Sequence, residues 1–147
     1  LSSLKILHVR GCDSLKSLFT YELLQQLQNL EEIFLDDCAK MEELIEEGTG
    51  NSADIKLLRL KQIKLSRLWR LKSIYGGVVV SESLSTIEID KCENLKRLPV
   101  MTCEENGQLQ QPPPSLKQIK GEKDWWDSLE WDHPDTKTLM QPFFHMW

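Results

Sequence analysis

The sequence predicts an α/β solenoid, with a parallel concave sheet, convex loops and short helices, and a Trp-rich cap at its C-terminal end. Three observations predict it. A spaced set of apolar residues recurs every 24 to 32 positions. Each recurrence contains a short apolar alternation of the strand type, and the pattern stops at Gly121, beyond which the tryptophans gather.

Leu1, Leu4, Leu7, Val9, Cys12, Leu15 and Leu18 set the template. An offset of 26 places Leu27, Leu30, Ile33, Leu35, Cys38, Met41 and Leu44 on the same positions. A further 30 places Leu57, Leu60, Ile63, Leu65, Leu68, Leu71 and Ile74 there, and 24 more gives Ser81, Leu84, Ile87, Ile89, Cys92, Leu95 and Leu98. A fifth copy begins at Pro113, Leu116 and Ile119 after an offset of 32 and decays at Gly121. The shared form, L-x-x-L-x-x-L-x-L-x-x-C-x-x-L-x-x-L, contains the leucine-rich-repeat signature, with Cys in the Asn/Cys slot. The chain therefore divides into about five irregular repeats over residues 1–121 and a cap over residues 122–147.

In each copy the L-x-L pair (Leu7/Val9, Ile33/Leu35, Ile63/Leu65, Ile87/Ile89) has period 2, the mark of a strand with one face buried. The Cys slot follows where the chain turns back, so Cys12, Cys38 and Cys92 are expected to be compact core residues rather than reactive thiols. Leu68 in the same slot keeps the apolar character without the sulfur. Between strands, residues 20–29 read as a helix with Thr20 as N-cap and Leu23, Leu24 and Leu27 on one face. Residues 41–48 read as a helical turn ended by Gly48. Residues 48–54 and 100–114 read as loops by composition. Cys103, in the second loop, is the one cysteine expected to react with an alkylating reagent. A solenoid must cover the apolar end of its last repeat. The tail, with Trp125, Trp126, Trp131 and Trp147, is expected to do so through helical turns near 124–130 and 134–140, the second opened by Pro134. The competing reading of the tail is an aromatic ligand pocket.

A net charge of -5 over 147 residues weighs against a general polyanion binder, whose affinity rests on neutralising phosphates. Copy three alone looks basic, with Lys56, Arg59, Lys61, Lys64, Arg67, Arg70 and Lys72. Copy two carries Glu31, Glu32, Asp36, Asp37, Glu42, Glu43, Glu46 and Glu47, and the two sets are expected to pair when stacked. No nucleic acid is therefore expected as a partner. The four cysteines form no C-x-x-C pair, so neither a zinc site nor a disulfide framework is suggested. The longest apolar run, Val78-Val79-Val80, is too short to span a bilayer, and no N-x-S/T sequon occurs, so a soluble chain in the cytoplasm is expected. No glycine-rich phosphate loop, G-x-S-x-G or H-E-x-x-H is present, and His8, His133 and His145 lack ligand spacing. No enzyme activity, cofactor or metal is expected in this chain.

Alternation turns the residues beside each inward pair toward the concave face, where solenoids bind their partners. The expected partner-binding columns are Ile6, His8 and Arg10; Glu32, Phe34 and Asp36; Gln62, Lys64 and Ser66; Thr86, Glu88 and Asp90; and Gln118, Lys120 and Glu122. In the middle column Phe34 lies between His8 and Lys64, and an outward aromatic is a reasonable anchor for a partner. Lys64, Glu88 and Lys120 continue it as alternating charge, which cross-strand pairing alone would explain.

The segments LKILHVRGCDSLKSLF, LEEIFLDDCAKMEELIEE, STIEIDKCENLKRLPV and PSLKQIKGEKDWWDSLEWDHPDTKTLMQPFF resemble the C-terminal leucine-rich repeats of plant coiled-coil, nucleotide-binding, leucine-rich-repeat disease resistance proteins. The resemblance implies a protein-recognition and autoregulatory module of an intracellular immune receptor. Its partner would be a pathogen effector, a guarded host protein or the receptor's own nucleotide-binding domain. ATP or ADP is then expected only in an upstream domain, since no Walker loop is present here. The alternative is the substrate-binding repeats of an F-box-type ubiquitin-ligase adaptor, although those repeats are more uniform in length.

Overall fold

The structure, a computed structural model, describes residues 3–46, 54–75, 78–98, 100–102, 114–131 and 134–147. The expectations for Leu1, Gly48, Cys103, Pro113 and His133 lie outside the described residues. The elements run β1 (Ile6–Arg10), β2 (Phe19–Thr20), α1 (Tyr21–Gln26), β3 (Glu32–Asp36), β4 (Ile45–Glu46), β5 (Ile55–Lys56) and β6 (Gln62–Ser66). They continue through β7 (Val78–Val80), β8 (Thr86–Asp90), β9 (Val100–Thr102), β10 (Gln118–Gly121), α2 (Lys123–Ser128), α3 (Pro134–Met140), a 3-10 turn (Gln141–Phe143) and β11 (Phe144–Met146).

Every L-x-L pair of the sequence lies at the centre of a strand. These strands form one sheet in the order β1-β3-β6-β8-β10-β11, and all its pairings are parallel. The register repeats the sequence offsets: Leu7 pairs with Ile33, Ile33 with Ile63, Ile63 with Ile87, and Ile87 with Ile119. A parallel pairing needs a long crossover, and the varying offsets are the lengths of those crossovers.

The apolar template is the core. All seven positions of copies two and three are buried, as are Leu84, Ile87, Ile89, Cys92 and Leu95 of copy four. Fully burying one such Leu or Ile is worth about 1.5–3 kcal/mol before chain entropy is set against it, so the repeated stripe is what holds the strands in register. In copy one Leu4, Leu7, Val9, Cys12 and Leu18 are only partly buried, because β1 has no strand on its other side among the described residues.

A second regularity sits just after each strand. Gly11, Asp37, Arg67 and Lys91 all have positive φ, between 51° and 69°. The left-handed residue bends the chain out of the sheet while its N–H completes the ladder: Gly11 donates to the Asp36 carbonyl, Asp37 to Ser66 and Arg67 to Asp90. Where β10 diverges, the Glu122 carboxylate takes over and accepts the Lys91 N–H at 3.0 Å. Only Gly11 adopts this geometry without steric penalty, so the other copies carry local strain offset by a hydrogen bond of the backbone N–H, to a carbonyl at Asp37 and Arg67 and to the Glu122 carboxylate at Lys91.

The helix expected over residues 20–29 is present as α1, shorter at its C-terminal end. The Thr20 hydroxyl accepts the Leu23 N–H at 3.1 Å, and Glu22 lies in the first turn. The helical turns of the tail are present as α2 and α3. The helical turn expected over 41–48 is not: Ile45–Glu46 is a strand paired with Phe19–Thr20, and Glu43 bridges Ser73. The acidic run has good helix formers, but Leu44 and Ile45 are both buried and satisfy their N–H groups on the neighbouring copy. The start of the expected 100–114 loop is also a strand, β9, third in a sheet with β5 and β7. Parallel strands thus replace part of the expected convex loops and helices.

The tail departs from expectation in a further way, since its last residues form β11 and extend the main sheet beyond β10. Trp126 is held between them and the core, stacked on Phe144 at 4.5 Å and 11° and edge-on to Trp131 at 5.4 Å. Trp125 is buried with its indole N–H on the Leu95 carbonyl at 2.9 Å. Trp125 and Trp126 are therefore core residues, and Trp125 also shows an edge to a cleft of about 300 Å³ that it shares with Lys91, Glu93, Lys96, Glu122 and Asp124.

Candidate recognition surface

The open face of the main sheet presents the predicted columns, and the backbone register fixes their neighbours. The middle column runs His8, Phe34, Lys64, Glu88 and Lys120, and β11 extends it to His145. The His8 and Phe34 rings lie 5.0 Å apart, and the Lys64 ammonium stands 5.7 Å from the Phe34 centroid. Lys64 also pairs with Glu88 at 3.3 Å. Lys64 and Glu88 thus pair across strands, as expected, whereas Lys120 stands over the Trp147 ring instead. Ile6 is 53% exposed at the start of the first column, where Glu32, Gln62, Thr86 and Gln118 follow half-buried.

The third column differs from expectation at two positions. Asp36, read as an outward contact residue, is 5% exposed. Arg67 donates two hydrogen bonds to its carboxylate, at 2.7 and 2.9 Å, and Arg10 a third at 3.1 Å. These bonds, that to Arg67 foremost, hold the Asp36 carboxyl below its ordinary range and raise Arg67 further above its own. Alternation correctly put Asp36 on that face, but two long guanidinium side chains from neighbouring copies close over it. Glu122 is likewise engaged, since its carboxylate accepts the Lys91 N–H and its residue caps α2. Ser66 and Asp90 remain half-exposed, with the Ser66 hydroxyl 3.3 Å from the Asp90 carboxylate.

Copies two and three pair as their charges require. Besides Arg67 with Asp36, Lys61 meets Glu31 at 3.0 Å and Lys72 meets Glu42 at 3.8 Å. Arg59 donates to the Asn29 side chain at 2.8 Å. The hydrogen bond from Lys61 lowers the Glu31 pKa. Much of the basic stripe of copy three is therefore committed to its neighbour and does not form a free cationic surface of the kind that holds a phosphate backbone.

The cysteine slot is structural in its surroundings. Cys38 and Cys92 are free and buried, with their thiols near the carbonyls of Asp36 at 3.7 Å and Asp90 at 3.4 Å. Burial raises both pKa values, that of Cys92 to about 12, so both stay protonated thiols at neutral pH. Cys12 is partly exposed.

Two residues absent from the predicted surface join it through the tail. β11 sets His145 beside Lys120, and Trp147 follows with its N–H on the Gly121 carbonyl at 3.1 Å. Its indole N–H lies 3.3 Å from the Ile89 carbonyl, and Lys120 stands 5.6 Å from its ring. The ring thereby folds back toward β8 and β6, and Phe34, Lys64, Ser66, Glu88, Asp90 and Trp147 share a shallow pocket of about 240 Å³. The alternating run Phe-His-Met was a strand signal, but it lies outside the repeat spacing that located the other strands. Among the described residues there is no group of three or more His, Cys, Asp or Glu side chains that could hold a metal ion, and no helix is long and apolar enough to cross a membrane.

Residues 1–111 match the family described as plant disease resistance protein RPS2-like, leucine-rich repeats. The chain belongs to this family. Among its relatives in Arabidopsis thaliana, Disease resistance protein At4g27190 is 34% identical over 146 residues, which is 99% of this chain and 14% of that protein. Probable disease resistance protein At4g27220 is 41% identical over 103 residues, 67% of this chain and 11% of that protein. Disease resistance protein SUMM2 is 30% identical over 146 residues, 98% of this chain and 15% of that protein. The RPS2-like repeats of this chain thus span only 11 to 15% of the length of these relatives. No solved structure matches the chain.

Proposed function

We propose that this chain is the protein-recognition and autoregulatory segment of an intracellular plant immune receptor. It forms a leucine-rich-repeat solenoid of about five turns closed by residues 122–147. Its concave sheet contacts a pathogen effector, a guarded host protein or the receptor's own nucleotide-binding domain in the cytoplasm. The observation that carries this reading is the middle column of the sheet. An aromatic pair, His8 with Phe34, stands on a largely polar face, where nothing in the packing of the core requires an aromatic. Family membership supports the defence setting. The adaptor alternative draws no support from the relatives named above.

The reading assigns no cofactor to this chain and places nucleotide binding in another domain of the full-length protein. A test is the pair of substitutions Phe34→Ala and Lys64→Glu in the full-length protein, followed by transient expression with and without the recognised partner. Loss of the partner-triggered response, or onset of a response without partner, is expected. Unchanged behaviour in both arms would show that this face does not act in recognition or restraint.

A further inference from the structure

The pocket between Phe34 and Trp147 is more specific than an exposed sheet face. It has an aromatic ring on either side, and its charged lining is one ammonium, Lys64, against two carboxylates, Glu88 and Asp90. Lys64 is already committed, 3.3 Å from Glu88 and over the Phe34 ring. That leaves Asp90, which accepts the Ser66 hydroxyl at 3.3 Å and feels the charge of Arg67, but makes no ion-pair contact within 4 Å among the described residues. Trp147 is 56% exposed as a residue, with Lys120 nearby. Aromatic faces are electron-rich and attract cations, and a guanidinium can stack on one while its N–H groups fork onto a carboxylate.

We propose that this pocket accepts a single basic side chain of the protein partner, an arginine by preference, with its charge on Asp90 and its flat face on Trp147. The proposal rests on the concave-face reading and specifies the partner's chemistry there. An acidic side chain would meet the surplus carboxylate of the lining, and an aliphatic one would make no charge-assisted hydrogen bond to Asp90. The tail is then part of the recognition surface, because β11 is what delivers Trp147 to it.

The test is a titration of the isotopically labelled chain with Nα-acetyl-arginine methylamide, against the norleucine and glutamate analogues, followed through indole and backbone N–H signals. Saturable shifts at the Trp147 indole and at the Ser66 and Asp90 amides are expected with the arginine compound alone. Asp90→Asn is expected to weaken that binding roughly tenfold, the ratio typical of losing one charge-assisted hydrogen bond. Trp147→Leu should weaken it independently, with circular dichroism confirming that both variants keep their fold. Equal shifts from the glutamate or norleucine compound, no saturable shift with arginine, or indifference to Asp90→Asn would overturn the proposal. A random-peptide selection on the same chain separates it from the reading beneath it. Selected peptides lost with Phe34→Ala and Thr86→Glu but not enriched in arginine or lysine would reject the basic-side-chain pocket and keep the concave face. Peptides indifferent to Phe34→Ala and Thr86→Glu would reject both.

Discussion

Replacing Trp126 by alanine tests how the C-terminal end is held. Trp126 is 1% exposed and is among the largest fully buried side chains. Truncating a buried Trp to Ala costs about 3–5 kcal/mol, through lost transfer energy and the cavity left behind. The stack on Phe144 and the edge contact with Trp131 push the value toward the upper part of that range, since aromatic pairs add about 0.5–1.5 kcal/mol beyond their area. Loss of the bond from the indole N–H to Gln141 adds little, because Gln141 is exposed and can bond water. We expect a loss of about 4 kcal/mol, a large fraction of the roughly 5–15 kcal/mol typical of a domain. The damage should also be local in order: β11 meets the sheet through β10 alone and the core largely through the Phe144 stack. Urea denaturation gives the magnitude, and hydrogen exchange gives the order, with amides of residues 144–147 losing protection before those of β3 and β6. A loss below about 1.5 kcal/mol, or unchanged protection in β11, would refute the assignment of Trp126 as the pin between tail and core.

Three further outcomes follow from the geometry. Gly121→Ala would put a Cβ 2.6 Å from the Trp125 ring and 3.3 Å from the Ile89 carbonyl. The ring is tethered to Leu95, so overpacking of about 1–3 kcal/mol is expected, and an unchanged melting temperature would contradict it. Iodoacetamide on the native chain should spare Cys38 and Cys92 while labelling Cys12 slowly, and mass spectrometry showing rapid native labelling of Cys92 would contradict its placement in the core. Asp36→Asn should destabilise the chain at neutral pH. The folded-state pKa of Asp36 is lowered, so its contribution is full above the ordinary value near 3.8 and is lost as pH falls through the lower folded value. The gap between the two proteins in chemical denaturation should therefore close in that acid range; a gap independent of pH would place its origin elsewhere.

The main-sheet strands β1, β3, β6, β8 and β10, their order and the buried stripe were legible because the same template is written several times, and period 2 inside each copy distinguishes inward from outward residues. Leu7, Ile33, Ile63, Ile87 and Ile119 could be aligned before any coordinate was known, and the sheet pairs them in that order. The stretch at 41–46 was misread because local composition favours a helix, whereas its backbone is paired with the neighbouring copies, a contact between residues some 26 to 30 positions apart. The positive φ at Asp37, Arg67 and Lys91 was hidden for a related reason: only Gly11 announces it in the sequence, and the other copies accept the strain to make a ladder bond or, at Lys91, a bond to the Glu122 carboxylate.

The candidate surface divides the same way. Alternation alone put Phe34, Lys64 and Glu88 in one outward column, because the pleat leaves each side chain only two directions. Whether an outward residue is reachable depends on what folds over it, and here Arg10 and Arg67 close on Asp36. Trp147 joins Phe34 across the pocket although the two are separated by most of the chain. Repetition encodes the core in the sequence itself, since each copy needs the same apolar face to stack on the next. The pocket depends on one unrepeated tail reaching back to the sheet, and only tertiary packing brings those residues together.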